Sequence, residues 1–101
     1  MYWNGEGVPK SPLIAHMWFR RAAEQGDGKA QYFVGSMYAL GIGEPKNLTL
    51  TYMWTKIAVT RGGYLDKGNT LERLEKHLSK ADVEKANILA NKCIQKKFKD
   101  C

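Results

Sequence analysis

Two cysteines among 101 residues are too few for a disulfide-dense miniprotein. The two histidines, His16 and His77, do not combine with Cys93 and Cys101 at a zinc-binding spacing. No stretch approaches the ~18 consecutive apolar residues that a membrane-spanning helix needs. The opening Met1-Tyr2-Trp3-Asn4-Gly5-Glu6-Gly7 lacks the basic start and apolar core of a leader, which leaves a cytoplasmic protein or one whose leader has been removed. Carboxylates are outnumbered, ten Asp plus Glu against sixteen Lys plus Arg, for a net charge of +6. What is present is ordinary for a globular chain: 44% hydrophobic and 26% charged residues, too apolar for a disordered tail. A chain of this size buries roughly 60–70% of its unfolded surface, enough for a modest core without a deep pocket.

The main internal signal is a repeat. Offset by 36 residues, Met1 falls on Met37, Tyr2 on Tyr38, Gly5 on Gly41, Gly7 on Gly43, Pro9 on Pro45 and Lys10 on Lys46. Met17 then falls on Met53, Trp18 on Trp54, Ala22 on Ala58 and Gly26 on Gly62, which makes 10 identities in 28 ungapped positions. Chance would give roughly 2 at average composition. The period does not continue: residues 29–64 against 65–100 share only Lys56 with Lys92.

Each unit reads as helix, turn, helix. Ala30, Val34, Met37 and Tyr38 recur at helical spacing over 29–40, behind a cap-like Asp27-Gly28. Gly41-Ile42-Gly43-Glu44-Pro45 breaks that helix, since glycine takes the left-handed cap and proline cannot continue. Asn47 then caps a helix whose apolar face is Leu50, Met53, Trp54, Ile57 and Ala58 and which closes at Gly62-Gly63. The first unit repeats this second helix over about 13–25, with Leu13, Ile14, Met17, Trp18 and Ala22, ending at Gly26. Leu65, Leu71, Leu74 and Leu78 predict a further helix over 65–77. Ser79-x-x-Asp82 is a capping-box variant that starts a last helix near Lys80, with Val83, Ala86, Leu89, Ala90, Cys93 and Ile94 inward.

Ala30-Gln31-Tyr32-Phe33-Val34-Gly35-Ser36-Met37-Tyr38, then Gly41-Ile42-Gly43, Trp54, Ala58 and Gly62, resembles the Sel-one-like repeat (SLR), a tetratricopeptide-like helical hairpin of about 36 residues. The first unit matches with Tyr2, Gly5, Gly7, Val8, Trp18, Ala22, Ala23, Gln25 and Gly26. The second departs at Glu44, where valine is common, and at Val59-Thr60-Arg61, which replaces Ala-x-Gln. Leu78 to Asp82 and the helix beyond are similar to the C-terminal capping segment of some members. The resemblance implies an all-α fold, an alpha-alpha superhelix (a right-handed solenoid of antiparallel helix hairpins) closed by a C-terminal capping helix pair. The division expected is a partial unit over 1–28, a complete unit over 29–64 and capping helices over 65–101. It further implies scaffold or adaptor roles, frequently in bacterial proteins, and no catalytic site. Small residues allow close helix crossing, so Gly35, Ala22 and Ala58 are expected at crossings, with Trp18 and Trp54 filling the wider gaps between hairpins.

The repeat phase places Met1 about eight residues into the first helix of its unit. The helix over 13–25 is therefore expected to lack its hairpin partner and to leave its apolar face partly bare. A truncated product, self-association through this edge, and acceptance of another protein's helix are the three explanations.

Other motifs are weaker. Gly5-x-Gly7 and Gly41-x-Gly43 suit turns, since neither extends into a phosphate-binding loop. Some SLR relatives have been linked to β-lactam binding, but Ser11, Ser36 and Ser79 are followed three residues on by Ile14, Ala39 and Asp82, so no Ser-x-x-Lys exists. His16 falls at the phase of Tyr52 and reads as a packing or surface residue, and His77 as a helix-end cation. Asn47-Leu48-Thr49 is a glycosylation sequon of a kind that single chance matches produce. Cys93 and Cys101 on one continuous helix would be about 12 Å apart, too far to bridge. A buried Cys93 thiol with a loose Cys101 is the favoured reading, and a bridge requires the tail to fold back after about Lys97. Lys92, Lys96, Lys97 and Lys99 lack aromatic interleaving apart from Phe98, so nucleic acid is disfavoured and a solvated helix end preferred.

With no paired carboxylates, triad or metal set, neither an enzyme nor a cofactor is expected. The leading reading is an interaction module that binds a peptide or helix on its grooved face. Lys29, Tyr32, Phe33 and Ser36 lie opposite the core-facing Ala30, Val34 and Tyr38 and are the expected partner-binding residues. The competing reading packs Tyr32 and Phe33 on the neighbouring hairpin. A homodimer through the N-terminal edge is the alternative function.

Overall fold

The computed structural model describes residues 12–43, 45–66, 68–99 and 101. Met1 to Ser11 lie outside the described residues, and with them the helix stub at Met1 to Asn4 and the Gly5-x-Gly7 turn; so does Glu44. Five helices follow one another: α1 (Pro12–Glu24), α2 (Gly28–Leu40), α3 (Leu48–Thr60), α4 (Thr70–Glu75) and α5 (Lys80–Gln95). No strand occurs among the described residues, and the fold is all-α.

The expected caps form. Asp27 accepts hydrogen bonds from the backbone N–H of Lys29 at 3.0 Å and Ala30 at 3.2 Å, which starts α2. Gly41 ends it in the left-handed region at φ 70°, with the Ile42 N–H donating to the Met37 carbonyl at 2.9 Å. The Asn47 side chain accepts from the Leu50 N–H at 3.0 Å, and Ser79 does the same for Asp82 at 3.1 Å.

Contacts along α2 and α3 show an antiparallel hairpin. Gly28 at the start of α2 meets Gly62 just past the end of α3, so closely that a Cβ on either would run into the other's backbone. In mid-helix Gly35 sits against Thr51, Trp54 and Thr55, and its carbonyl accepts from the Thr51 hydroxyl at 2.8 Å. At the far end the Asn47 N–H donates to the Tyr38 carbonyl at 2.9 Å. α1 runs back along the other side of α2: Gln31 Nε2 donates to the Ala23 carbonyl at 3.1 Å, and the His16 ring meets Tyr38 edge-on. The core joins Ala23, Ala30, Val34, Tyr38, Tyr52, Met53, Trp54, Ile57, Leu74, Ala86, Ala90 and Cys93. Small Ala86 and Ala90 let α5 lie close on α3, and the Tyr52 hydroxyl donates to Glu75 Oε2 at 2.7 Å, which ties α4 to α3.

Three expectations are corrected. The helix over 65–77 shrinks to α4, because Asp66 caps it from outside: its carboxylate accepts from the N–H of Thr70 at 2.9 Å and Leu71 at 3.1 Å. Leu65 is left 70% exposed on the loop before it. Trp18 does not fill a gap; it is 59% exposed, whereas its repeat mate Trp54 is fully buried. Cys93 and Cys101 are bridged, with their Cα atoms 5.4 Å apart. The tail turns back through Lys97 (φ 56°) and Phe98 (φ 68°), and the Phe98 N–H donates to the Cys93 carbonyl at 2.8 Å. A continuous helix would have kept the sulfurs apart; two consecutive left-handed residues bring them together.

Candidate functional site

The outer side of α2 carries the four residues singled out from the sequence. Lys29 is exposed, and Tyr32, Phe33 and Ser36 are half-buried, while Ala30, Val34 and Tyr38 are buried on the opposite side. The division follows from the 3.6-residue period.

Tyr32 and Phe33 sit in a strip of four aromatic rings drawn from three segments. Phe19 of α1 lies 5.4 Å from Phe33, centroid to centroid. Phe33 meets Tyr32 edge-on at 6.2 Å, and Tyr32 stacks on Tyr64 at 4.4 Å with only 15° between the planes. The Tyr32 hydroxyl also pairs with Thr70 Oγ1 at 3.4 Å. The rings pack on neighbouring segments and remain half-buried. Ser36 turns inward along its own helix and donates to the Tyr32 carbonyl at 3.1 Å.

Beyond Tyr64 the strip opens into a shallow cleft of about 500 Å³ lined by Asp27, Gly28, Lys29, Gly62, Gly63, Tyr64 and Leu65. Its floor is low because Gly28 and Gly62 have no side chains. Burial pushes the Tyr64 hydroxyl above its ordinary pKa, and the neighbouring Tyr32 and Asp66 add to that, so it stays a neutral hydrogen-bonding group. Lys29 and Leu65 are the cleft's exposed lining residues with long side chains. The strip and cleft together offer aromatic faces, one cation, one carboxylate and one aliphatic side chain.

Phe19, Tyr64 and Leu65 were not expected here. Phe19 and Tyr64 have no aromatic mate at the repeat period, and Leu65 had been assigned to a helix; only the Gly62-Gly63 break just before Tyr64 hinted at a loop that could reach α2. His16 is buried against Tyr38, and His77 lies exposed beyond α4.

An all-α fold among the described residues, a 36-residue sequence repeat and a glycine-mediated helix crossing mark a helical-repeat protein. The Sel1 repeat family model matches residues 1–27 and 28–63, and the chain belongs to that family. Sel1 repeats are protein-interaction modules. A similar protein is the chitin synthase regulator SKT5 of Malassezia restricta, 42% identical over 55 residues, which cover 54% of this chain. The chain spans about 4% of that relative's length. The relative is fungal, so it lends no support to a bacterial setting.

Proposed function

We propose that this Sel1-repeat chain is an adaptor that holds a peptide or helix of a protein partner along the aromatic strip of α2 and the adjoining cleft. The observation that carries this reading is the run Phe19, Phe33, Tyr32 and Tyr64, four half-buried rings in sequence that end in an open cleft beside Lys29. Rigid aromatics lose little conformational entropy on binding and supply much contact area, which is why such rings anchor interfaces. Tyr32, Phe33 and Tyr64 are the anchors in this reading, Lys29 and Leu65 the rim. Ser36, whose hydroxyl is spent within α2, sets the edge of the strip. The regulator named among its relatives is in keeping with a binding role.

The test is selection of peptide ligands from a random display library, followed by calorimetry. Lys29→Glu and Leu65→Asp alter exposed side chains and are expected to weaken a selected peptide while leaving unfolding unchanged. Phe33→Ala is expected to lose at least about tenfold in affinity, the scale of an interface anchor. Binding through aromatics survives high salt, whereas an ionic partner such as nucleic acid would be released steeply. If Tyr32→Ala unfolds the domain and the two rim variants bind as well as the parent, the aromatics are structural and the reading fails.

A further inference from the structure

Residues 85–99 hold five lysines, Lys85, Lys92, Lys96, Lys97 and Lys99, and no carboxylate; Glu84 and Asp100 flank the run. The same segment holds no arginine. All five lysines are exposed, and none forms an ion pair among the described residues.

Two features of the fold gather them. Lys85, Lys92 and Lys96 are spaced i, i+7 and i+11, so they line one flank of α5, outside the buried side formed by Ala86, Ala90 and Cys93. At 1.5 Å per residue that stripe is about 16 Å long. Past Lys96 the chain does not continue outward. Left-handed backbone at Lys97 and Phe98 turns it back, and the bridge from Cys101 to Cys93 closes the turn. The Lys99 N–H donates to the Lys96 carbonyl at 3.3 Å, so Lys97 and Lys99 stay beside the end of the stripe. Like charges held this way repel one another. The dipole of α5 favours cations in its last turn. That accounts for Lys92 and Lys96, but not for Lys85 in the second turn or for Lys97 and Lys99 beyond the helix.

The chemistry of the flank selects its occupant. Ile88, 55% exposed, is the one large apolar side chain exposed along the segment. An apolar helix laid here would bury ammonium groups without partners, which is strongly unfavourable. An occupant therefore brings anions. Nucleic acid is held best where arginine forks and exposed rings join the lysines. Neither is present: Phe98, the one ring of the segment, packs against the core and would lie 3.5 Å from a Cβ on Gly26. A bilayer needs an apolar row to insert beside its anionic headgroups, and Ile88 stands alone. Carboxylates of a polypeptide need neither. An extended chain advances about 3.3 Å per residue. Acidic side chains three and then two residues apart therefore match the separations of about 10 Å and 6 Å along Lys85, Lys92 and Lys96.

We propose that the lysine flank of α5, completed by the bridged turn at Lys97 and Lys99, binds an extended acidic segment of a protein partner. This surface uses no residue of the aromatic strip or its cleft.

The probe is a synthetic peptide of about twelve residues, Gly and Ser with Glu at that three-and-two spacing. It is acetylated and amidated so that only Glu carries charge, and it is titrated into the oxidised full chain by amide NMR. Saturable one-to-one binding is expected, with shifts concentrated between Lys85 and Lys99. The affinity should fall severalfold as salt rises from about 0.05 to 0.2 M. Lys92→Gln with Lys96→Gln, and separately Lys97→Gln with Lys99→Gln, should each weaken it about fivefold. Lys46→Gln with Arg61→Gln removes the same charge from exposed positions off α5 and should change it less than about twofold. The proposal is overturned if the peptide does not saturate, or if the control pair weakens it as much as either lysine pair. It is also overturned if a single-stranded oligonucleotide of equal charge, or vesicles of phosphatidylserine and phosphatidylcholine, bind the flank more tightly at the same salt, which would make nucleic acid or lipid the occupant.

Discussion

Replacing Gly28 by alanine sets two opposed effects against each other. Gly28 is the first residue of α2, and on propensity alone alanine would stabilise a helix there by up to about 1 kcal/mol. The structure opposes this. A Cβ on Gly28 would overlap the Gly62 carbonyl oxygen and lie 2.6 Å from its carbon and 2.8 Å from its Cα. These are backbone atoms and cannot rotate away, so α2 and the end of α3 must move apart. Overpacking typically costs about 1–3 kcal/mol, and an obstacle of backbone belongs at the upper end. The net expectation is a loss of about 2 kcal/mol, or a fall of about 8–16 °C in Tm for a domain of this size. Thermal unfolding followed by circular dichroism measures it. Gly35→Ala is the graded comparison: its Cβ would sit 3.1 Å from the Thr51 carbonyl and 3.2 Å from Trp54 Cβ, so relaxation of tenths of an ångström suffices and the net loss should stay under about 1 kcal/mol. A Gly28→Ala protein as stable as the parent would refute the claim that the glycine pair sets the spacing of this hairpin.

Cys101→Ser should destabilise by about 2–3 kcal/mol through the entropy of the opened loop, and reductant should lower the parent's Tm by a similar amount while leaving the variant unmoved. Burial first, and then the hydrogen bond and charge of Glu75, push the Tyr52 hydroxyl up to about 12 from its ordinary value near 10. The stability this group contributes is therefore complete below pH 10 and is lost as pH rises through about 12; an ultraviolet titration in which one tyrosine resists ionisation until then checks it. Burial raises the Asp66 carboxyl, but hydrogen bonds from Thr70 and Leu71 and the charge of Arg73 outweigh it and hold the group below the usual carboxylate range. Its contribution is present above that range and is lost as pH falls through the depressed value, so Asp66→Ala should fray α4 at neutral pH, seen as faster amide exchange at Thr70 and Leu71.

The elements governed by local rules were legible. Asp27, Asn47 and Ser79 cap their helices because a short side-chain oxygen reaches the second or third N–H of any helix it precedes. The inward faces of α2 and α5 follow from periodicity, and Gly35 was expected at a crossing because helices approach closely only where side chains are small. Long-range features were not. Gly62 read only as a helix end; that it meets Gly28 depends on how two helices cross. The left-handed turn at Lys97 and Phe98 has no glycine to announce it, so the bridge from Cys93 to Cys101 was hidden. The cleft residues Tyr64 and Leu65 are placed by a loop that Asp66 pins to α4, and no period predicts that. Trp18 and Trp54 occupy the same position of the repeat but are opposite in exposure, because burial belongs to the neighbour and not to the residue.

The Cys93–Cys101 bridge makes the last turn of this chain a record of its surroundings. Where glutathione and thioredoxin keep thiols reduced, the bond does not persist. Lys97 and Phe98 would then hold left-handed backbone without a covalent tie, and a Cβ at Gly26 marks how near Phe98 lies to the α1–α2 turn, at 3.5 Å. The end of α5 and the turn that opens α2 are thus neighbours whose contact depends on electron supply. The same sequence would have a closed C-terminal end outside a reducing compartment and a fraying one within it.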